Sequence, residues 1–113
     1  MPHRLIEGLR RYQKEQLPKL RERFAKLAAE GQSPATLFIG CSDSRLVPNL
    51  LTDSGPGEIF TVRNVGNFVP PFEEDAGFHG VSAAIEFAVL TLGVTDIVVC
   101  GHSDCGAIRA LYQ

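Results

Sequence analysis

The chain has 113 residues, 44% hydrophobic and 21% charged, ordinary usage for one small globular domain. These proportions exclude a disordered tail, a collagen-like repeat and a cysteine-dense secreted scaffold, and no apolar run approaches the roughly 20 residues that span a bilayer. The net charge of −2 is uneven, because residues 1–31 hold eight of the eleven Lys/Arg and four of the thirteen Asp/Glu, leaving −6 on the remainder.

Leu5, Leu9 and Tyr12 recur at helical spacing, and Leu17, Leu20, Phe24, Leu27 and Ala28 resume it. Pro18 has no amide to donate, so the pattern predicts two helices, over 3–16 and 19–30, with Gly31 ending the second. Glu7, Glu15, Glu22 and Glu30 are interleaved with the basic residues. The stretch therefore reads as a solvated amphipathic face, or as an arm on the acidic body of a neighbouring subunit, with no nucleic-acid role. Leu37-Phe38-Ile39-Gly40 predicts a buried strand. A connection rich in Pro, Gly, Asp and Ser follows over 46–57, with a short helix around Asn49–Asp53, and Glu58–Arg63 predicts a second strand. Beyond an acidic loop, Val81, Ala84, Ile85, Ala88, Val89 and Leu92 lie on one helix face closed by Gly93. Ile97-Val98-Val99-Cys100 predicts a third buried strand, and Ala107–Gln113 opens another helix. The alternation predicts an α/β fold with a mostly parallel sheet in the order 2-1-3 and flanking helices.

Reactive side chains concentrate directly after the first and third strands, in Cys41-Ser42-Asp43-Ser44-Arg45 and His102-Ser103-Asp104-Cys105-Gly106. Ligands of open α/β sheets bind at the carboxyl ends of strands, and the order 2-1-3 sets these two loops side by side. Cys41, His102 and Cys105 can then converge, and two thiolates with one imidazole suit zinc with one position left open, as in a catalytic site. Arg45 follows Cys41 by four positions, not the six of a cysteine-phosphatase loop, and no Gly-x-Gly-x-x-Gly follows the first strand. Asp43 and Arg45 can pair across a tight loop, which would keep the carboxylate ionised; a loop-bracing salt bridge is the plainer alternative. Cys100 reads as a small buried apolar residue, and His3 and His79 as surface residues. The odd cysteine count and the absence of an apolar signal core after Met1 fit a cytoplasmic chain with free thiols.

These two segments, together with Arg63-Asn64-Val65-Gly66-Asn67, closely resemble the beta-class carbonic anhydrases, in their plant-type or cyanobacterial-like branch, over about Leu5 to Leu111. The resemblance implies reversible hydration of carbon dioxide to bicarbonate and a proton, with one zinc per chain held by Cys41, His102 and Cys105. It implies a catalytic dyad of Asp43 and Arg45, in which Asp43 accepts a hydrogen bond from a zinc-bound hydroxide, or binds zinc itself as a fourth ligand in a closed state. It implies substrate contacts from the Gln32 amide, the aromatic Phe60 and the backbone amide of Gly106. Phe87 stands where plant-type members often carry tyrosine. The implied assembly is a homodimer or larger homo-oligomer, with the pocket at the subunit interface and Gln32 and the aromatics supplied by the neighbour. On this pattern residues 1–31 form a helical arm and 32–113 a zinc-binding core, the N-terminal portion of a longer catalytic domain. A non-catalytic zinc-binding or assembly module and a bicarbonate-binding regulatory protein are the alternatives on the same fold.

Overall fold

The computed structural model describes residues 2–75 and 77–113, and these fall into two units, 1–32 and 33–113. In the first unit, α1 (Pro2–Arg11) runs through a π-helical turn (Tyr12–Gln16) into α2 (Leu17–Glu30), and Gly31 caps α2 with φ +80°. The break expected at Pro18 is absent. In an unbroken α-helix the proline ring would strike the carbonyl of Lys14, four residues back. The preceding turn instead widens, the Leu17 amide donates to the Tyr12 carbonyl five residues back, and Pro18 occupies the first turn of α2, where no donor is needed. Leu5, Ile6 and Leu9 are exposed, and α2 buries no residue.

The second unit is built on one parallel sheet, ordered β2-β1-β3 among the described residues, from β1 (Thr36–Cys41), β2 (Ile59–Asn64) and β3 (Asp96–Cys100). The expected order 2-1-3 is the observed one. Central β1 is buried from Leu37 to Cys41 on both faces, as its unbroken apolar run requires. On one face Leu37 and Ile39 pack with Ala88, flanked by Phe60, Val62, Val81, Ile85 and Val94. On the other, Phe38 lies so close to Gly40 that a Cβ there would meet its ring at 2.8 Å. Short α3 (Pro48–Leu51) and α4 (Gly80–Glu86), the latter continued by a π-helical stretch (Phe87–Leu92), join the strands, and α5 (Gly106–Ala110) follows β3.

Three expectations need correction here. β3 is not buried: Ile97, Val98 and Val99 are 48%, 41% and 52% exposed, because β3 is an edge strand that, among the described residues, pairs with β1 alone. Cys100, at its end, is consequently half-buried rather than buried. Val89, expected on the packed face with Ala88, is exposed, since the π-helical stretch from Phe87 changes the period that the spacing assumed.

The contrast between β1 and β3 is measurable. Ile39→Ala, at a fully buried position, should cost about 2–5 kcal/mol by urea denaturation. Val99→Ala, half-exposed, should cost below about 1 kcal/mol. Equal costs would show that β3 is covered in solution.

Candidate metal centre

β1 and β3 run parallel with Gly40 opposite Cys100, so the segments that leave their carboxyl ends emerge side by side. Cys41 is the last residue of β1, His102 lies in the turn after β3, and Cys105 precedes α5. The turn closes through Asp104 in the left-handed region, φ +54°, a conformation that Asp tolerates better than most side chains. The two sulfurs stand 3.8 Å apart, and the ligand atoms of Cys41, His102 and Cys105 all lie within 4.8 Å of one another. Both cysteines are buried and none is in a disulfide.

The imidazole is oriented by its other nitrogen. A carbonyl can only accept, so the 2.8 Å contact of Nδ1 with the Ser103 oxygen puts the proton on Nδ1 in the neutral ring. Nε2 is then a bare lone pair, and it is buried with no hydrogen-bond partner. A buried polar atom without a partner is costly, and in a chain with two adjacent thiols it fits an ion as its counterpart. The Cys41 sulfur accepts long hydrogen bonds from two backbone amides, Asp43 N–H and Gly66 N–H, each at 3.4 Å. The Asp43 amide, the nearby His102 and the Gly66 amide push the Cys41 thiol down to about 6, against the opposing effect of desolvation. Interaction with Cys41, then with the Ser103 carbonyl, pushes His102 up. This attraction is electrostatic rather than a formed hydrogen bond, since Nε2 has no partner in bonding geometry.

Beside the donors, Arg45 grips Asp43 with both ends of its fork, Nε to Oδ1 at 3.0 Å and Nη2 to Oδ2 at 2.7 Å, and its own amide donates to Oδ1 at 2.9 Å. These bonds hold the Asp43 carboxyl well below the usual carboxylate range, and the carboxylate in turn raises Arg45. Arg45 also reaches the other loop, donating to the Asp104 carbonyl at 2.9 Å. Asp43 Oδ2 lies 3.7 Å from His102 Nε2. A cavity of about 270 Å³ opens onto Cys41, Asp43, Cys105 and Gly106.

The structure thus brings together Cys41, His102, Cys105, Asp43 and Arg45, with Gly106 on the cavity wall. It does not bring the two aromatics to them. Phe60 pairs with Leu37 whereas Asn64 pairs with Cys41, a displacement of four residues or about 13 Å along β2. There Phe60 contacts Phe87, ring centroids 5.6 Å apart. Gln32 belongs to the first unit. His79 sits at the surface bonded to Asp75 at 2.7 Å. Three contributors had no role in the sequence reading. Arg63 donates to three carbonyls of the Cys41–Leu46 segment, and Asn64 clasps Phe68 through both its amide and carbonyl groups. Gly66, at φ +91° and with no room for a Cβ beside Phe68, presents its amide to Cys41. Their signal was an Arg-Asn pair at the end of a strand predicted to neighbour β1.

Residues 36–113 match the family described as carbonic anhydrase. The chain is also similar to the solved structure of the beta-carbonic anhydrase CcaA, with a TM-score of 0.89 and 46% identity, covering 96% of this chain and 48% of that one. The chain belongs to the beta-carbonic anhydrase family. A carbonic anhydrase of Pseudomonas aeruginosa is 53% identical over 107 residues, 95% of this chain and 47% of the relative. A tetrameric beta-carbonic anhydrase of Sordaria macrospora superposes with a TM-score of 0.85 at 35% identity, covering 98% of this chain and 53% of that one. The chain therefore spans about half the length of the relatives it matches. Membership in the beta-carbonic anhydrases implies zinc, and the Cys-His-Cys donor set fits that ion.

The amide contacts to Cys41 make a direct prediction. In metal-free protein, thiolate ultraviolet absorbance, corrected by the Cys41→Ser spectrum, should titrate with a midpoint near 6. A midpoint near the ordinary 9.0 would show that the amides do not stabilise the thiolate.

Proposed function

We propose that this chain carries the zinc site and catalytic dyad of a carbonic anhydrase, hydrating carbon dioxide reversibly to bicarbonate and a proton. The observation that carries the proposal is the buried, unpartnered His102 Nε2, which faces two thiols beside an aspartate held ionised by arginine. Cys41, His102 and Cys105 would hold the metal. When bound, zinc supplies Lewis-acid activation of water at near-neutral pH.

The chain's own residues do the rest. Two thiolates balance the charge of a divalent cation, so the site can stay buried without a further counter-ion. Asp43, kept ionised by Arg45, accepts a hydrogen bond from the attacking oxygen and turns its lone pair towards carbon dioxide. Its bidentate contact with Arg45 favours this dyad role over direct coordination. Gly106 lines the cavity, and its amide would donate to an oxygen of bicarbonate. Gln32, Phe60 and Phe87 complete the pocket from a second copy, which accounts for the separation of the aromatic pair from the donors within one chain.

Assembly is part of the proposal. The exposed Leu5, Ile6 and Leu9 of the basic first unit suit an arm on the acidic second unit of a neighbour, residues 1–31 forming that arm and 32–113 the core. A relative at 35% identity is described as tetrameric. No helix among the described residues is long and apolar enough to cross a membrane, and the free thiols suit the reducing cytoplasm.

Two variants separate the roles. Asp43→Asn should keep stoichiometric zinc while stopped-flow hydration falls about a hundredfold or more. Undiminished turnover would sink the dyad assignment. Cys105→Ser should lose zinc by elemental analysis, and full occupancy would refute that ligand. Zinc-replete protein without turnover would leave an assembly module, and saturable bicarbonate binding without turnover a regulatory one. Zinc affinity should fall as pH drops below about 6, where a proton competes for Cys41, and lose that dependence on Cys41 above it.

A further inference from the structure

We propose that Arg63 is a positioning residue that fixes the Cys41 sulfur and the Asp43 carboxylate relative to each other; the proposal rests on the metal-site reading above. Arg63 lies on β2, opposite Gly40, and its side chain crosses to the segment that leaves β1. Nε donates to the Cys41 carbonyl at 2.9 Å, and Nη2 donates to the Asp43 carbonyl at 2.8 Å and the Leu46 carbonyl at 2.7 Å.

Those three acceptors bracket the chemistry. The first belongs to a proposed metal ligand and the second to the proposed dyad carboxylate. The third ends the turn, whose own closure is the Leu46 amide to the Asp43 carbonyl at 3.1 Å. A turn held only by that bond, by the Asp43–Arg45 pair and by the reach of Arg45 to the Asp104 carbonyl would be tethered on its far side but free to tilt about Cys41. The Arg63 fork removes that freedom, because a planar guanidinium aimed at three carbonyls fixes their mutual orientation as well as their distance. The same segment is tied to β2 a second time by the Ser42 amide on the Asn64 carbonyl at 2.7 Å.

Arg63 also continues directly into the residues that serve the sulfur. Asn64 donates to the Phe68 carbonyl at 2.9 Å and accepts from the Phe68 amide at 2.8 Å, folding the loop that places Gly66 N–H on Cys41. One end of this loop therefore anchors the backbone of Cys41 and the other solvates its sulfur. Orientation at this scale matters chemically, since displacements near 1 Å at a reacting group cost about a hundredfold in rate. Lysine cannot substitute: its single ammonium reaches these carbonyls only as a point charge, without the rigid fork.

The test uses Arg63→Lys and Arg63→Met in the full chain, with zinc content, circular dichroism, stopped-flow hydration and the visible spectrum of the cobalt-substituted protein. Both variants should fold and bind one metal. Their kcat should fall about tenfold or more with little change in KM, and the cobalt bands should shift from those of the unmodified chain. Unchanged kcat and unchanged cobalt bands in Arg63→Lys overturn the proposal, whatever Arg63→Met does. Loss of the folded spectrum in both variants overturns it too, making Arg63 a residue of the fold alone. If the unmodified chain takes up metal but shows no turnover, the cobalt bands decide by the same criterion. An unmodified chain that binds no metal, or an Asp43→Asn chain with full activity, defeats the underlying site reading instead.

Discussion

The site hangs on the register of one strand. Cys41 ends β1 opposite Asn64, and Gly40 sits opposite Cys100, so a slip of one residue would turn the Cys41 side chain to the other face of the sheet. Burial of β1 on both faces fixes this register from within, because Leu37 and Ile39 must meet Ala88 while Phe38 fills the opposite side. The hydrophobic pattern of six residues thus determines where a sulfur is presented.

From that point the architecture works by fixing the direction of each polar group in the site. His102 gives Nδ1–H to a carbonyl and keeps Nε2 free. Asp43 gives both oxygens to Arg45, and Arg45 spends its remaining reach on the turn that carries His102 and Cys105. The arginine contacts therefore couple the two loops, which share no strand, through a carboxylate and a carbonyl. Arg45 is exposed, so its pairing with Asp43 matters for orientation and ionisation far more than for stability.

How much of this was legible followed from how local the determinant was. The strand order and the convergence of Cys41 with His102 and Cys105 could be read because an unbroken apolar run, a turn signal and a reactive triplet sit within a few residues of each other. Pro18 misled because a widened turn answers the same steric conflict as a break, and the choice between them leaves no mark on residue types. β3 misled because Ile97-Val98-Val99 states only that the strand is apolar, while exposure depends on what lies beside it. Arg63 stands within a motif, yet its three acceptors are backbone carbonyls of Cys41, Asp43 and Leu46, and a carbonyl is the same group in every residue.

The buried apolar residues are few: Leu37, Phe38, Ile39, Cys41, Leu46, Ala88 and Cys105 among those described. Two of the seven are proposed metal ligands, and Leu46 packs with them in a cluster of its own, separate from that of Leu37, Ile39 and Ala88. An ion that joins the end of β1 to the turn after β3 would add to the packing of Cys41, Leu46 and Cys105 there. An ion bound by the folded chain and not by the unfolded one stabilises the fold in proportion to its affinity and concentration. The same donors that would serve the chemistry would then close the carboxyl end of the sheet. That double use would explain why the thiols are buried in the core while their partner nitrogen is left without a bond.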